Sequence, residues 1–159
     1  MKAVSLSELK KELNQLEPHK LIELAITLAK YKKDNKEFLS YLLFDEHNKH
    51  QFISDFKKEI DLYFAEINIS GNLNNTKKTL RKILRIITKY CKYANDKAIT
   101  VDLHIYFCST LKASSIPYYK SQMICNMYAL QLKKINTLIG TLHEDIQQDF
   151  TPDLEKISM

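Results

Sequence analysis

Glycine and proline are scarce in this chain, which has two glycines, three prolines and no tryptophan among its 159 residues. Tight β-turns depend on glycine and proline, so their scarcity argues against an all-β fold with many hairpins. It also disfavours sites in which the backbone must approach a ligand closely, such as glycine-rich phosphate loops. The GxSxG, HExxH and CxxC motifs are absent as well. The sequence therefore favours a protein without catalytic activity, and it indicates no cofactor.

Long apolar runs are also missing. No segment approaches the roughly 18 apolar residues that a membrane-spanning helix needs, so no span is expected. The first residues, MKAVSLSELKKEL, have charges at helical spacing and no apolar signal core, which argues against secretion. The three cysteines, Cys91, Cys108 and Cys125, form no CxxC pair, and any disulfide would leave one thiol over. A reducing, cytoplasmic compartment is therefore expected.

Apolar residues recur at spacings of three and four along most of the chain, which is the spacing of one side of an α-helix. In SLSELKKELNQL, for example, Leu6, Leu9 and Leu13 follow a serine that can cap a helix. In PHKLIELAITLAKYKK, Pro18 suits the first position of the next helix. These patterns predict an all-α protein of about seven helices, arranged as an antiparallel bundle or as a short stack of helical hairpins.

The stretch NISGNLNNT, residues 68–76, is the clearest interruption of these patterns. It contains four asparagines and Gly71, which favour a loop and left-handed backbone conformations. Neither half of the chain looks large enough for a core of its own. We therefore interpret the stretch as a hinge-like loop inside one helical domain that covers residues 1–159.

Residues 97–107 fit two patterns. ITVDLHIYF alternates apolar and polar residues as a strand does, yet Ala98, Val101 and Ile105 also lie on one side of a helix. No second segment alternates as strongly, and a lone strand is unstable in water, so we prefer a helix.

A last long helix is predicted from about residue 119 to 142, and the tail after it is expected to fray. The side chains of its predicted inner side are Met123, Ile124, Met127, Tyr128, Ile135, Leu138, Ile139 and Leu142.

The net charge of +5 is concentrated in one segment. Residues 71–95 carry seven cations and no carboxylate, in the run TKKTLRKILRIITKYCKYAN. At about 100° per residue, the cations fall on one side of a helix and the apolar residues fill the other, as in a helix that packs on its apolar side. We call these cations the cationic stripe: Lys77, Lys78, Arg81, Lys82, Arg85, Lys89 and Lys92.

The cationic stripe has three interpretations. Its two arginines are the only ones in the chain, and a guanidinium provides a planar, two-pronged donor. They can bind carboxylates of a neighbouring helix, such as Asp55, Glu59 or Glu144. The stripe can instead bind an external anion, which would be nucleic-acid phosphate, an acidic protein or a lipid headgroup. Finally, it can simply be solvated.

Two other clusters contain residues that can bind metals or transfer protons. DEHNKH places His47 and His50 three residues apart beside two acids. LHEDIQQD offers His143, Glu144 and Asp145, with an aspartate at position 149. Both clusters fall at helix ends, where polar residues serve as caps or are solvated, so no metal site is predicted.

The chain resembles a group of uncharacterised bacterial all-helical proteins. The phrases that carry the resemblance begin with LKKELNQLEPHKLIELAITLAKYKKDNKEFLSYLLFDE and continue with TKKTLRKILRIITKYCKYA, YFCSTLK and LHEDIQQDF. The resemblance implies a helix over residues 97–112. It implies no agreed activity, cofactor or catalytic residue.

These observations lead to a functional hypothesis with two alternatives. We expect a cytoplasmic helical protein that acts by binding, as a scaffold or interaction protein whose partner is another protein or a second copy of itself. The first alternative is non-specific binding of nucleic-acid phosphate through the cationic stripe. The second is an enzyme of unknown type that uses the His47 and His50 pair or the His143 and Asp145 cluster.

Overall fold

The computed structural model describes residues 2–69 and 71–158, and every regular element in them is helical. The prediction of an all-α fold with about seven helices is confirmed. None of the described helices is long and apolar enough to cross a membrane. The α-helices are α1 (Leu6–Leu13), α2 (Pro18–Tyr31), α3 (Lys33–Ser40), α4 (Lys49–Ala65), α5 (Leu73–Ala94), α6 (Lys97–Ala113), α7 (Gln122–Ile139) and α8 (Glu144–Ser158). A π-helical turn covers Tyr41–Asp45, and 3₁₀ turns cover Glu46–Asn48 and Tyr118–Lys120.

The chain divides into two compact units, one up to Asp45 and one from Glu46 onward. The asparagine-rich stretch at residues 68–76 lies inside the second unit, and its Ser70 is outside the described residues. Helix α5 already begins at Leu73, because the Asn72 side chain accepts a hydrogen bond from the Asn74 backbone N–H at 2.8 Å. The single domain with a hinge at this stretch stays a prediction.

The first unit is built on a hairpin of α2 and α3. Pro18 opens α2, where its missing N–H costs nothing. The side-chain amide of Asn35 donates to the Leu28 carbonyl at 2.9 Å and ties the start of α3 to the end of α2. Helix α1 begins with a capping box, in which Ser5 and Glu8 each satisfy the other's backbone N–H. None of these three helices contains a buried residue.

The second unit is organised around α6, which packs against α4, α5, α7 and α8. Because neighbours surround it, α6 is apolar on nearly every side, and this explains why its sequence also resembles a strand. The preferred helical interpretation of residues 97–112 is confirmed. The buried residues of α6 are Ile99, Val101, Leu103, His104, Ile105, Phe107, Cys108 and Leu111.

Helix α5 has the two sides that its sequence predicts. Leu80, Ile83, Ile87 and Cys91 are buried against the rest of the second unit, and Thr76 is buried with them. Burial of this apolar side gives the helix its stability, since an isolated helix of this composition is marginal in water. Because the apolar side of α5 faces inward, the cationic stripe faces the exterior.

Two expectations about the C-terminal part are wrong. Met123 was expected on the inner side of the last long helix, but its side chain is 44% exposed. The tail was expected to fray, but it forms α8, in which Ile157 is buried. The backbone of α8 is fixed by two side chains from other helices: Tyr128 donates to the Ile157 carbonyl at 2.6 Å, and Lys112 donates to the Lys156 carbonyl at 2.7 Å.

Replacing Asp96, the N-cap of α6, is expected to destabilise the second unit. Its carboxylate accepts from the backbone N–H of Ala98 at 2.9 Å and of Ile99 at 3.2 Å, and Lys49 lies 3.1 Å away. We expect Asp96→Ala to lower the free energy of unfolding by about 1–2 kcal/mol. Urea unfolding checks this value, and Asp96→Asn, which still caps the helix, should lose less. Equal losses in both variants would contradict the capping role.

The stability that the Asp96 cap contributes depends on pH, because its carboxylate can be protonated. Burial favours its neutral form, but hydrogen bonds from Ile99, Lys49 and Ala98 outweigh burial and hold the pKa of Asp96 below its usual 3.8. A carboxyl group with a lowered pKa stabilises the fold above pH 3.8 and loses this effect as the pH falls through its folded-state pKa. Asp96→Asn should lack this part of the acid sensitivity.

Candidate functional site

The cationic stripe runs along the outer side of α5. It extends over residues 77–92, a distance of about 22 Å at 1.5 Å per residue. Its two arginines are one helical turn apart near the middle of this length. Lys78, Arg81, Lys82, Arg85 and Lys92 are exposed, and Lys77 and Lys89 are half-buried.

Three members of the stripe contact neutral groups. The Lys82 ammonium lies 4.2 Å from the centre of the Tyr63 ring, a cation–π contact. The Lys77 ammonium donates to the Asn74 side-chain oxygen at 3.4 Å. Arg81 Nη2 lies 2.7 Å from Met123 Sδ, which explains why this methionine sits at the surface. None of these neighbours compensates a positive charge.

The carboxylates that were candidates for the arginines are not paired with them. Asp55 accepts from Gln51 at 2.8 Å and pairs with Lys58 at 2.7 Å, and these two hydrogen bonds lower its pKa. Glu59 accepts from the Tyr63 hydroxyl at 3.0 Å. Among the described residues, these members of the stripe form no ion pair with a carboxylate: Lys77, Lys78, Arg81, Lys82, Arg85 and Lys92.

The arrangement of the stripe costs stability. Like charges at positions i and i+4 of a helix repel by about 0.2–0.5 kcal/mol per pair, and Lys78–Lys82 and Arg81–Arg85 are two such pairs. Because α5 begins at Leu73, Lys77 and Lys78 lie beyond its first turn, where the helix dipole has little effect on cations. A bound anion would relieve the repulsion between the like charges, so the stripe is a ready site for a negatively charged partner.

Of the tyrosines on α5 and in the turn before α7, most are used for packing. Tyr90 contacts the rings of Phe56 and Tyr93 at centroid distances of 4.4 and 5.7 Å. Tyr118 stacks on Tyr128 at 5.9 Å. Tyr119 is exposed, whereas Tyr90, Tyr93 and Tyr118 are half-buried.

The histidine clusters do not form a metal site among the residues that the structure describes. His143 Nδ1 lies 3.3 Å from an Asp145 carboxylate oxygen, but both side chains are largely exposed. His47 lies in a 3₁₀ turn and His50 in the first turn of α4. An exposed pair of this kind is suited to solvation and offers no shielded position for a reacting group.

A groove of about 360 Å³ lies between α4 and α6, with His50 and Phe150 in its wall. It contains Asp96 and Asp102, the one polar pair that could attract a cation. Both carboxylates are already paired with lysines, Asp96 with Lys49 at 3.1 Å and Asp102 with Lys57 at 2.8 Å. The groove is therefore a packing feature with neutralised charges.

Sequence reasoning missed a buried polar pair at the contact of α6 and α7. His104 Nε2 lies 2.8 Å from the Lys134 ammonium, and Nδ1 has no hydrogen-bond partner. Burial, followed by the charge of Lys134, lowers the pKa of His104 to about 4. The only sequence signal was a histidine inside the apolar run ITVDLHIYFC.

The cysteines are consistent with packing. Cys91 and Cys108 are buried, Cys125 is half-buried, and all three are free thiols. Burial raises the pKa of Cys108 to about 12 and also raises that of Cys91, which makes both poor nucleophiles.

Comparison with protein-family models, with curated proteins and with solved structures gives no match for this chain. The resemblance to uncharacterised bacterial all-helical proteins stays a prediction.

Proposed function

We propose that this protein is a non-enzymatic binding protein that holds an acidic segment of another protein along the cationic stripe. The proposal depends on the exposure of Arg81 and Arg85 and on their having no described carboxylate as a partner. Neither pairs with a described carboxylate, and both lie on the exposed side of α5. Unneutralised arginines one helical turn apart are suited to two carboxylates at the same spacing.

The surroundings of the stripe favour an acidic protein segment over a nucleic acid. Outside the stripe, residues 46–159 carry nine lysines and twelve acidic residues. A duplex would need several phosphate contacts over a wide footprint, and the rest of the second unit has no excess of cations to supply them. A single helix or extended segment occupies only the width of α5. Its carboxylates can follow the stripe while its other side stays in solvent.

Binding at the stripe should be strongly salt-dependent, because both of its arginines and most of its lysines are exposed. Electrostatic attraction raises the association rate, while the two guanidiniums set the register of the bound segment. A lysine at either position would keep the charge and lose the planar, two-pronged geometry.

The test uses a labelled helical peptide with glutamates at positions i and i+4, together with a matched peptide in which glutamine replaces them. We expect the glutamate peptide to bind and the glutamine peptide not to bind. Arg81→Glu/Arg85→Glu should weaken binding at least tenfold, since a hydrogen bond to a charged group contributes about 1.5–3 kcal/mol. Fluorescence anisotropy at low and high salt measures both effects.

The matched control is Lys120→Glu/Lys133→Glu, which changes the net charge equally at exposed positions outside the stripe. It should bind the glutamate peptide almost as the wild type does. Equal weakening in both double variants would mean that only the net charge matters, and this would contradict the proposal. A labelled DNA duplex and a single strand complete the series. If the protein binds either DNA more tightly than the glutamate peptide, and Arg81→Glu/Arg85→Glu loses this binding, the nucleic-acid alternative is favoured instead.

A further inference from the structure

The first unit exposes far more apolar surface than its size explains. Among the described residues, fifteen of the twenty-one exposed large hydrophobic side chains lie within residues 2–45. Their exposed fractions add up to about eight complete side chains. At roughly 60–120 Å² of apolar area per side chain, the exposed area is on the order of 500–1,000 Å². The largest apolar patch of a typical soluble monomer is about 300–600 Å².

Helix α1 is the clearest part of this surface. Leu6, Leu9, Leu13 and Leu16 alternate spacings of three and four, the pattern of a helix that packs against other helices. Leu6 is 85% exposed, and α1 makes no extensive contact with α2 or α3. An eight-residue helix is not stable alone in water, so its leucine side requires a surface to pack against.

A complementary surface lies on the same unit. A groove of about 380 Å³ runs between α2, α3 and the π-helical turn. Ala25 and Ala29, one turn apart on α2, leave room for a helix to approach closely, and Leu28, Phe38 and Leu42 form the apolar wall. The groove is open, so a row of leucines can enter it from outside.

We propose that the first unit pairs with the first unit of a second copy of this chain, so that the leucine side of α1 enters the α2–α3 groove of the other copy. Each copy carries both the leucine side of α1 and the groove. In a two-fold symmetric dimer, α1 of each copy therefore enters the groove of the other, and no groove is left open for a third copy. The total exposed apolar area of the unit, of which the α1 leucines and the groove are a part, is of the same order as the roughly 800 Å² per partner of a standard interface.

The charges of the first unit also favour a second copy. Residues 1–45 carry eight lysines and seven acidic residues, so two copies meet without net repulsion. A helical unit of this length buries too little surface to be stable without further contacts, and self-association is a common solution. This pairing is independent of the cationic stripe, which lies on the second unit.

The oligomeric state of the full chain tests the pairing. Light scattering after size exclusion should give a mass of about twice 18.7 kDa for the wild type. Leu9→Glu/Leu13→Glu should elute as a monomer, and its helix content by circular dichroism should fall by no more than the share of α1–α3, because the second unit does not depend on the pairing. The control is Leu62→Glu, which changes a leucine that is 68% exposed on α4, and it should remain a dimer.

A cross-linking experiment tests the geometry. When Leu6→Cys protein is mixed with Ala29→Cys protein, oxidation should produce a disulfide between the two chains. Mixing Leu6→Cys protein with Leu62→Cys protein should give none. All three proteins also carry Cys125→Ser, because Cys125 is half-buried, whereas Cys91 and Cys108 are buried.

Two results would overturn the pairing. One is a wild type that stays monomeric at every concentration, which would leave the groove to an amphipathic helix of another protein. The other is a dimer that survives Leu9→Glu/Leu13→Glu. Arg81→Glu/Arg85→Glu should remain a dimer, so a failure of the proposed function and a failure of this pairing are distinguishable.

Discussion

Replacing Phe107 with alanine is expected to lower the free energy of unfolding of the second unit by about 3–5 kcal/mol. The Phe107 side chain is 0% exposed in the middle of α6, and its ring lies 5.7 Å from the ring of Phe64 on α4. Truncation removes the buried apolar area and leaves a cavity that close-packed neighbours cannot fill. Since domains of this size are stable by about 5–15 kcal/mol, the loss is a large share of the total.

Urea unfolding, followed by the helical circular dichroism signal, measures this loss. Tyr119→Ala is the control, because it truncates an exposed aromatic side chain and should change stability by about 0.5 kcal/mol or less. Phe107→Leu should fall between the two, as it keeps most of the apolar volume. If Phe107→Ala costs no more than Tyr119→Ala, α6 is not the buried centre of the unit.

The sequence was sufficient to predict features that depend on one helix at a time. The two sides of α5 follow from the positions of its cations and apolar residues, and Leu80 and Ile87 are buried as expected. The helical state of residues 97–112 was harder to predict. Burial on all sides places apolar residues around the whole of α6 and removes the periodicity that separates a helix from a strand.

Contacts between helices that are far apart in the chain were not predictable. Helix α8 is ordered because Tyr128 binds the Ile157 carbonyl, a contact across 29 residues. Met123 is at the surface beside Arg81 although its spacing matches the inner side of α7, and the adjacent Ile124 is buried instead. A single helix pattern does not contain the information about which of two adjacent positions faces a neighbour.

The composition of the cationic stripe was predictable, but it was not predictable that Arg81 and Arg85 would have no carboxylate partner among the described residues. Asp55 and Glu59 are satisfied by groups three or four residues away on their own helix, such as Lys58 and Tyr63. Local pairs of this kind order few additional groups, so they form in preference to pairs with a more distant helix. This preference leaves Arg81 and Arg85 without a carboxylate partner in the part of the chain that the structure describes.

The second large effect that we expect is an acid-dependent loss of stability caused by His104. This side chain is 1% exposed, and Lys134 donates to its Nε2 at 2.8 Å, so the neutral ring carries its proton on Nδ1. Protonation would place a second positive charge beside Lys134 in a buried site. Burial and then this charge lower the pKa of His104 from 6.5 to about 4.

The direction of the pH effect follows from the lowered pKa. Between pH 6.5 and pH 4 the unfolded chain binds a proton at His104 that the folded chain does not bind. The free energy of unfolding is therefore unaffected by protonation of His104 above pH 6.5, and it falls as the pH decreases from 6.5 toward 4. At about 1.4 kcal/mol per pKa unit, the loss reaches roughly 2 kcal/mol at pH 5 and about 3 kcal/mol below pH 4.

Unfolding in urea at pH 7 and pH 5 isolates the contribution of His104, because carboxylates with ordinary pKa values stay mostly ionised over this range. His104→Gln keeps an acceptor for Lys134 but does not titrate, so its stability should change little between the two pH values. His143→Gln, at an exposed histidine, should retain the wild-type loss. If His104→Gln loses as much stability on acidification as the wild type does, the acid sensitivity arises elsewhere, and His104 is not the buried neutral base that its contacts indicate.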